Sequence, residues 1–335
     1  MNMKLIITGY GTVGRSLIKI LDNQADFLSK NYQFEPLVIA ICELKGCLID
    51  PNGLNLKEIL QSKDIKSLPA WKEGVTAEEV LNQYQADALV EMTWTNPEDG
   101  KPAIDYIRTA LKTNKHIISS NKGPFYLYYK ELKEASESKG LLMGIEATVG
   151  SAIPCLNAKR SLAGNPIKKI QAILNGTSNY ILTRMTTERL DLSSALLEAQ
   201  SMGYAEANPK LDIEGYDAAG KLVILTNELL GTNFTIKDVE IRGITQINSQ
   251  AITLAAKRGY IIKHVAEYDG KTLSVGLKLI PEQSPLAING TLNCVVLETE
   301  LAGEIIFIGR GAGGFEAAAA ILADILNIFE LKIKK

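Results

Sequence analysis

The chain has 335 residues, 46% hydrophobic and 22% charged, with a formal net charge of −2. Such a chain can build two cores, gives no electrostatic case for nucleic acid, and nowhere reaches the ~18 consecutive apolar residues of a membrane span. Cys42, Cys47, Cys155 and Cys294, with His116 and His264, lack the spacing of a disulfide framework, a metal cluster or a His-centred triad. His116 reads as a strand-start residue and His264 as structural. Met1-Asn2-Met3-Lys4 runs directly into Leu5-Ile6-Ile7, too short for a signal peptide, so a cytoplasmic location is expected.

Lys4–Thr8 reads as a strand, Gly9-Tyr10-Gly11-Thr12-Val13-Gly14 as a turn, and Ser16–Leu21 as the start of a helix. In that context a Gly-x-Gly-x-x-Gly turn lets a pyrophosphate approach the helix N-terminus, so Gly9, Tyr10, Gly11, Thr12, Val13 and Gly14 are candidate dinucleotide contacts. Leu37–Cys42 is the second strand. Glu43 at its end can accept the ribose 2′-OH of NAD, whereas Lys45 can meet the 2′-phosphate of NADP. The two pull in opposite directions, which predicts use of both NAD and NADP. Glu43 lies farther downstream than the usual ~20 residues; the polar segment Asp22–Glu35 accounts for the difference.

Helices are expected at Ala77–Tyr84, Pro102–Leu111 and Phe125–Ser138, with strands at Ala88–Met92, His116–Ser119 and Leu141–Ile145. This alternation predicts an α/β fold, a Rossmann-type doubly wound parallel sheet whose ligands sit beyond the carboxyl ends of the strands. Those ends carry Gly9–Gly14, Glu43–Lys45, Thr93–Asn96 and Ser119–Lys122, so Thr93, Ser120 and Lys122 join the cofactor candidates.

After Glu146 the pattern changes. Residues 176–230 are mainly helical and residues 239–308 mixed, with strands at Thr272–Ile280, Cys294–Glu298 and Ile305–Ile308. A second, α+β domain is expected over residues 149–308. The dinucleotide-binding domain then spans residues 1–148 and is completed by residues 309–335. A second glycine turn, Gly309–Gly314, precedes an alanine-rich helix at Glu316–Ile328. Its Gly311 either touches the same cofactor or serves close packing.

Asp217 and Lys221 are four apart and stack on one helix face. An exposed pair of this kind is worth only ~0.3–0.5 kcal/mol. Here the neighbours are Ala218, Ala219 and Gly220, then Leu222-Val223-Ile224-Leu225, so the pair is expected against packed protein. A partly buried lysine has a lowered pKa and suits proton transfer.

Several segments taken in order resemble homoserine dehydrogenase. They are Gly9–Gly14, Gly53-Leu54-Asn55-Leu56, Ser120-Asn121-Lys122-Gly123-Pro124, Glu146-Ala147-Thr148-Val149-Gly150, Asn175-Gly176-Thr177-Ser178-Asn179-Tyr180-Ile181-Leu182, Gly203–Lys221 and Gly309–Gly314. The resemblance implies reversible reduction of L-aspartate 4-semialdehyde to L-homoserine with NADH or NADPH. It implies Lys221 as proton donor, Asp217 as its orienting group and Lys122 as a second active-site lysine. Glu206 and Asp212 match carboxylates for the substrate ammonium, and Tyr204 matches a pocket-lining residue. Gly176 and Thr177, with Ser178, open a helix expected to begin near Asn179, where their N–H groups can take the substrate carboxylate or aldehyde oxygen, serve as caps, or both. A monovalent cation, Na or K, is implied at Glu146, Val149, Ser151 and Ile153, chiefly through backbone carbonyls. Substrate binding and dimerisation are implied for the second domain, with a homodimer built through the second sheet at an edge formed by Thr272–Ile280 or Cys294–Glu298.

The sequence departs from many relatives in two places. It leaves no room for an ACT regulatory domain or an aspartate kinase, so no ACT-mediated inhibition by threonine is expected. Phe315-Glu316 stands where relatives often carry Pro-Thr. The competing readings are another two-domain NAD(P)-dependent amino-acid oxidoreductase and a non-catalytic NADP-binding sensor. A phosphorylating semialdehyde dehydrogenase needs a catalytic cysteine, and Cys155 has no partner histidine in its surroundings. A sensor has no need for Lys122, Asp217 and Lys221 together.

Overall fold

The structure is a computed structural model that describes residues 2–333. The chain divides into two units, Met1–Ser151 with Gly313–Lys335, and Ala152–Ala312. Both boundaries fall three or four residues later than the sequence suggests. At the first, Glu146–Thr148 forms a 3-10 turn and Glu146 gives its N–H to Asp324 Oδ2 of the C-terminal helix at 2.9 Å, which ties the segment to the first unit. At the second, the last strand runs on to Arg310.

The first unit holds a seven-stranded sheet: β1 (Asn2–Thr8), β2 (Glu35–Glu43), β3 (Gly46–Ile49), β4 (Trp71–Glu73), β5 (Ala88–Glu91), β6 (His116–Ser119) and β7 (Met143–Gly144). The strand order is β4-β3-β2-β1-β5-β6-β7. From β2 to β7 all pairs are parallel, and the order reverses between β2 and β5 about β1. Met3, Leu5, Ile6 and Ile7 are fully buried, as expected of a parallel strand covered on both faces.

β3 and β4 add an antiparallel extension that the alternation of strands and helices did not announce. β2 turns back through Leu44-Lys45 as a hairpin, so the second strand is followed first by another strand. The polar segment after Asp22 contains a helix of its own, Ala25–Tyr32. The helix Gly314–Ile333 closes the core: Ala318, Ile321, Ile325 and Phe329 join Leu5, Ile7 and Leu17 in one cluster. β7 is only two residues long. Gly144 lies so close to Asp324 that a Cβ there would come within 2.6 Å of it, and the chain turns away directly afterwards.

The second unit holds β8 (Ile167–Ile173), β9 (Val239–Ile241), β10 (Tyr260–Tyr268), β11 (Leu273–Pro281), β12 (Leu292–Thr299) and β13 (Gly303–Arg310). Their order is β13-β12-β8-β10-β11-β9, antiparallel throughout except for β9 beside β11. The strands expected from the sequence are β11, β12 and β13. β8 and β10 escaped because their alternation is broken by Lys168-Lys169 in one and by buried Lys263, His264 and Glu267 in the other. The helices Gly176–Thr187 and Tyr216–Leu230 pack on this sheet and carry the residues of the candidate site.

Candidate active site

At the carboxyl edge of the first sheet, Gly9 has φ +89°, a conformation that disfavours any side chain. A Cβ at Gly9 would lie 2.8 Å from the Met92 carbonyl carbon and 2.9 Å from the Thr93 nitrogen, so the turn after β1 rests directly on the turn after β5. A Cβ at Gly14 would meet the Gly9 carbonyl oxygen at 2.5 Å, whereas one at Gly11 would meet nothing within 4 Å. Gly11 is also the N-cap of the helix Thr12–Asn23 and offers no capping side chain. Gly11 therefore faces open space at a helix N-terminus without a capping side chain, with exposed Thr12 beside it. These residues fit a pyrophosphate.

Tyr10 is buried under Arg15, whose guanidinium carbon stands 5.0 Å from the ring centroid. Its N–H donates to Glu43 Oε1 at 2.5 Å. That bond carries the acid at the end of β2 back to the glycine turn. Val13 is half-buried, packed against the core, and Lys45 is exposed at the hairpin tip. Thr93 and Ser120 follow β5 and β6. Lys122 is half-buried at the N-cap of the helix Gly123–Glu137.

Asn121 joins these turns. Its Nδ2 donates to the Trp94 carbonyl at 2.9 Å and the Thr93 carbonyl at 3.2 Å, and its Oδ1 accepts the Gly123 N–H at 3.1 Å. Asn121 stands in a segment that the sequence marks, but its linking role comes from residues 27 and 28 positions away.

In the second unit, Lys221 and Asp217 form an ion pair of 2.8 Å with side chains only 10% and 12% exposed. Lys221 Nζ also donates to the Leu174 carbonyl at 2.8 Å. Asn175 supplies what the sequence did not: its Nδ2 donates to Asp217 Oδ2 at 2.9 Å and to Asp212 Oδ1 at 2.6 Å. One amide thus bridges two carboxylates from separate helices and holds Asp217 against the ammonium. A buried pair of this kind is rigid because both charges are hydrogen-bonded.

The helix expected to begin near Asn179 begins instead at Gly176. Its N-cap is Asn175, whose Oδ1 accepts the Ser178 N–H at 2.8 Å. That N–H is therefore committed, a correction to the reading of three available donors. The cause is the ordinary capping preference of Asn. The Thr177 hydroxyl donates to the Tyr204 carbonyl at 2.7 Å and the Ser178 hydroxyl to the Asp212 carbonyl at 2.9 Å. These bonds fasten the segment 204–212 to the helix start. Gly176 packs on Thr291, whose carbonyl oxygen would lie 2.8 Å from a Cβ. Tyr204 is 42% exposed and stacks at a tilt on Tyr180, with ring centroids 4.8 Å apart. Glu206 is exposed, and its carbonyl accepts a bond from Gln200.

Glu146, Val149 and Ser151 are buried in the first unit and Ile153 in the second. Ser151 has φ +52°, and its hydroxyl is buried without a partner. A buried hydroxyl oxygen without a partner is a hard donor of the kind a monovalent cation takes. Gly311 lies against Asn293: a Cβ there would come within 2.0 Å of the Asn293 amide nitrogen, so this glycine is required for close packing in the second unit.

His116 Nδ1 accepts the Leu142 N–H at 3.0 Å, and buried His264 holds the Arg242 carbonyl through Nε2, its pKa lowered by burial. Lys263 is buried among neutral partners, Asn179 Oδ1 at 2.8 Å and the Ile288 carbonyl, and burial pulls its pKa down to about 8. Nothing in the strand pattern of 260–268 marks it. No helix among the described residues is long and apolar enough to cross a membrane.

A family model for homoserine dehydrogenase matches residues 154–326. A homoserine dehydrogenase from Methanocaldococcus jannaschii is 45% identical over 332 residues, covering 98% of both chains. An NAD(+)-dependent homoserine dehydrogenase from Pseudomonas canavaninivorans is 34% identical, covering 99% of this chain and 97% of its own. The crystal structure of a putative homoserine dehydrogenase from Archaeoglobus fulgidus superposes with a TM-score of 0.89 at 39% identity over 98% and 99% of the two chains. A hyperthermophilic archaeal homoserine dehydrogenase in complex with NADPH gives 0.85 at 28% identity over 98% of each. Sequence and fold agree along nearly the whole length, and the chain belongs to the homoserine dehydrogenase family.

Proposed function

We propose that the chain catalyses the reversible, NAD(P)H-dependent reduction of L-aspartate 4-semialdehyde to L-homoserine, with Lys221 as the proton donor. The observation that carries this assignment is the buried Lys221–Asp217 pair clamped by Asn175. A nicotinamide cofactor, when bound, would supply the hydride that the aldehyde carbon takes up. The aldehyde oxygen then needs a proton, and a lysine ammonium held by a carboxylate and a carbonyl can give it. Asp217 orients Lys221, and Asn175 orients Asp217. Asp212 and Glu206 hold the substrate ammonium. Gly176 and Thr177, at the head of a helix, hold an anionic or carbonyl oxygen, and Tyr204 lines the pocket. Lys122, at the cofactor edge of the first sheet, is the second lysine. A monovalent cation at Glu146, Val149, Ser151 and Ile153 is a structural element of the same reading.

L-homoserine-dependent reduction of NADP or NAD by purified protein is the direct test. Absence of turnover in folded protein would favour a sensor.

Gly9–Gly14, Glu43, Lys45, Thr93 and Ser120 form the cofactor site. Glu43→Gln keeps an acceptor for the Tyr10 N–H but removes the negative charge. The expected result is an approximately tenfold shift of the NADPH-to-NADH ratio of kcat/KM toward NADPH, equivalent to ~1.4 kcal/mol. An unchanged ratio would take Glu43 out of cofactor choice.

The edge expected at Thr272–Ile280 or Cys294–Glu298 is not an edge, because β11 and β12 each have a strand on both sides; a homodimer is supported instead by the β13 edge, where Ile306 and Ile308 are 42% and 50% exposed. Beside them lies a cleft of about 270 Å³ lined by Ala152, Ile153, Pro154 and residues 306–309. Open apolar edges favour pairing; a monomer by light scattering at micromolar concentration would refute it. A cytoplasmic location fits four buried cysteines that form no disulfide in a biosynthetic enzyme; recovery outside the cytoplasmic fraction would refute it.

A further inference from the structure

We propose that Glu91 is held as a neutral carboxylic acid, and that its proton positions the two turns, Thr93–Trp94 and Ser119–Gly123, that form the cofactor edge of the first sheet. Its kinetic consequence rests on the cofactor site described above; the proton itself does not.

Glu91 ends β5 and is fully buried. Oε1 accepts the Thr93 N–H at 2.8 Å and the Thr93 hydroxyl. Oε2 lies 3.3 Å from Ser119 Oγ. The Ser119 hydroxyl is also 3.1 Å from the Glu91 backbone carbonyl, and it accepts the Asn121 N–H at 3.0 Å. A hydroxyl has one hydrogen and cannot donate to two acceptors at full strength. An ionised Glu91 would leave either its own carbonyl or Oε2 facing the Ser119 oxygen with no hydrogen between them. A neutral Glu91 removes the conflict: Oε2–H donates to Ser119 Oγ, and the Ser119 hydrogen goes to the carbonyl. Every contact then contains one hydrogen.

The surroundings favour the same state. No cationic side chain pairs with Glu91 among the described residues. Its register partner on β1 is Thr8, and its partner on β6 is Ser119. Tyr106 lies nearby on the helix Ala103–Lys112, its hydroxyl pushed up to about 12 by burial and by Glu78, Cys42, Glu91 and Cys47. All these groups are neutral or acidic. Burial raises the Glu91 carboxyl to about 7, outweighing the hydrogen bonds from Thr93 and Ser119 that favour the charged form.

The proton acts outward through two paths. Thr93 nitrogen, held by Oε1, is an atom on which Gly9 rests. Ser119 Oγ, oriented by Oε2, seats Asn121, which ties Trp94 to Gly123 and so fixes the turn carrying Lys122. As pH rises through about 7 the proton leaves and the Ser119 hydroxyl must choose between its two acceptors. Both turns loosen, and cofactor affinity falls. Because the folded pKa is raised, the stabilising contribution is complete below the unfolded value of 4.5 and is lost as pH rises through about 7.

The test compares wild type, Glu91→Gln and Glu91→Ala by infrared difference spectroscopy, thermal melting and the pH dependence of the cofactor KM. A glutamine reproduces the neutral pattern, since its amide N–H can donate to Ser119. At about pH 6, wild type should show a protonated-carboxyl stretch that Glu91→Gln lacks, and that stretch should fade by about pH 8. Glu91→Gln should keep kcat within about threefold and hold a flat cofactor KM, while the wild-type KM rises about tenfold over the same interval. Its melting temperature should gain on wild type as pH rises. Glu91→Ala should raise the cofactor KM at every pH. Absence of a Glu91-dependent carboxyl stretch at about pH 6 would overturn the neutral acid. A stretch with a flat wild-type KM would overturn its positioning role. Failure of L-homoserine oxidation would instead strike the functional reading, leaving the infrared result intact.

Discussion

Lys221→Ala should lower kcat for L-homoserine oxidation by about two orders of magnitude or more, the scale on which positioned acid–base groups act. The Nζ hydrogens are aimed by two fixed acceptors, Asp217 Oδ2 and the Leu174 carbonyl, both at 2.8 Å. Water entering the space left by alanine has neither that charge nor that aim. The KM for L-homoserine should change far less, by about fivefold at most, because the proposed function assigns the substrate ammonium and carboxylate to other groups. Removing one member of a buried ion pair also costs stability, up to about 3–5 kcal/mol. Here Asn175 still donates to Asp217, which reduces that penalty. Lys221→Met, which fills most of the vacated volume, separates lost chemistry from lost folding. Near-wild-type kcat in either folded variant would end the assignment of Lys221 as the acid.

The second large effect belongs to the glycine turn and is read by contrast. A methyl group at Gly14 would press on the Gly9 carbonyl at 2.5 Å, with backbone on both sides of the clash. Gly14→Ala should therefore cost about 1–3 kcal/mol of stability through overpacking and should raise the cofactor KM by about tenfold or more as the turn opens. Gly11→Ala meets no protein atom within 4 Å. It should leave the melting temperature nearly unchanged and still raise the cofactor KM, because the only thing its methyl can obstruct is the ligand at the helix N-terminus. Thermal melts and cofactor titrations of the two variants decide the matter. Equal cofactor affinity in Gly11→Ala and wild type would place the pyrophosphate elsewhere.

Some of this was written locally. The strand, turn and helix around Gly9–Gly14 follow from neighbouring residues alone, because glycine spacing and apolar periodicity act over a few positions. The Asp217–Lys221 contact follows from helical geometry, and the apolar residues between and after them correctly announced burial. Segments with mixed signals were harder. β10 carries Lys263, His264 and Glu267 inward, so its composition speaks for exposure while its position is buried. The β2–β3 hairpin and the earlier start of the helix at Gly176 turn on Leu44-Lys45 and on Asn175, residues whose local preferences permit several outcomes.

By itself, the sequence determined which residues could share a strand, a turn or a helix face, and so it determined the glycine turn and the lysine–aspartate pair. The tertiary structure alone decided that Asn175 reaches Asp212 and Asp217, 37 and 42 residues away, that Asn121 joins two turns, and that Glu91 is sealed from water with one proton too few unless it keeps its own. Local backbone geometry fixes contacts within a turn or two. Contacts between distant residues, and the charge states that burial imposes on them, exist only once the sheets have brought them together.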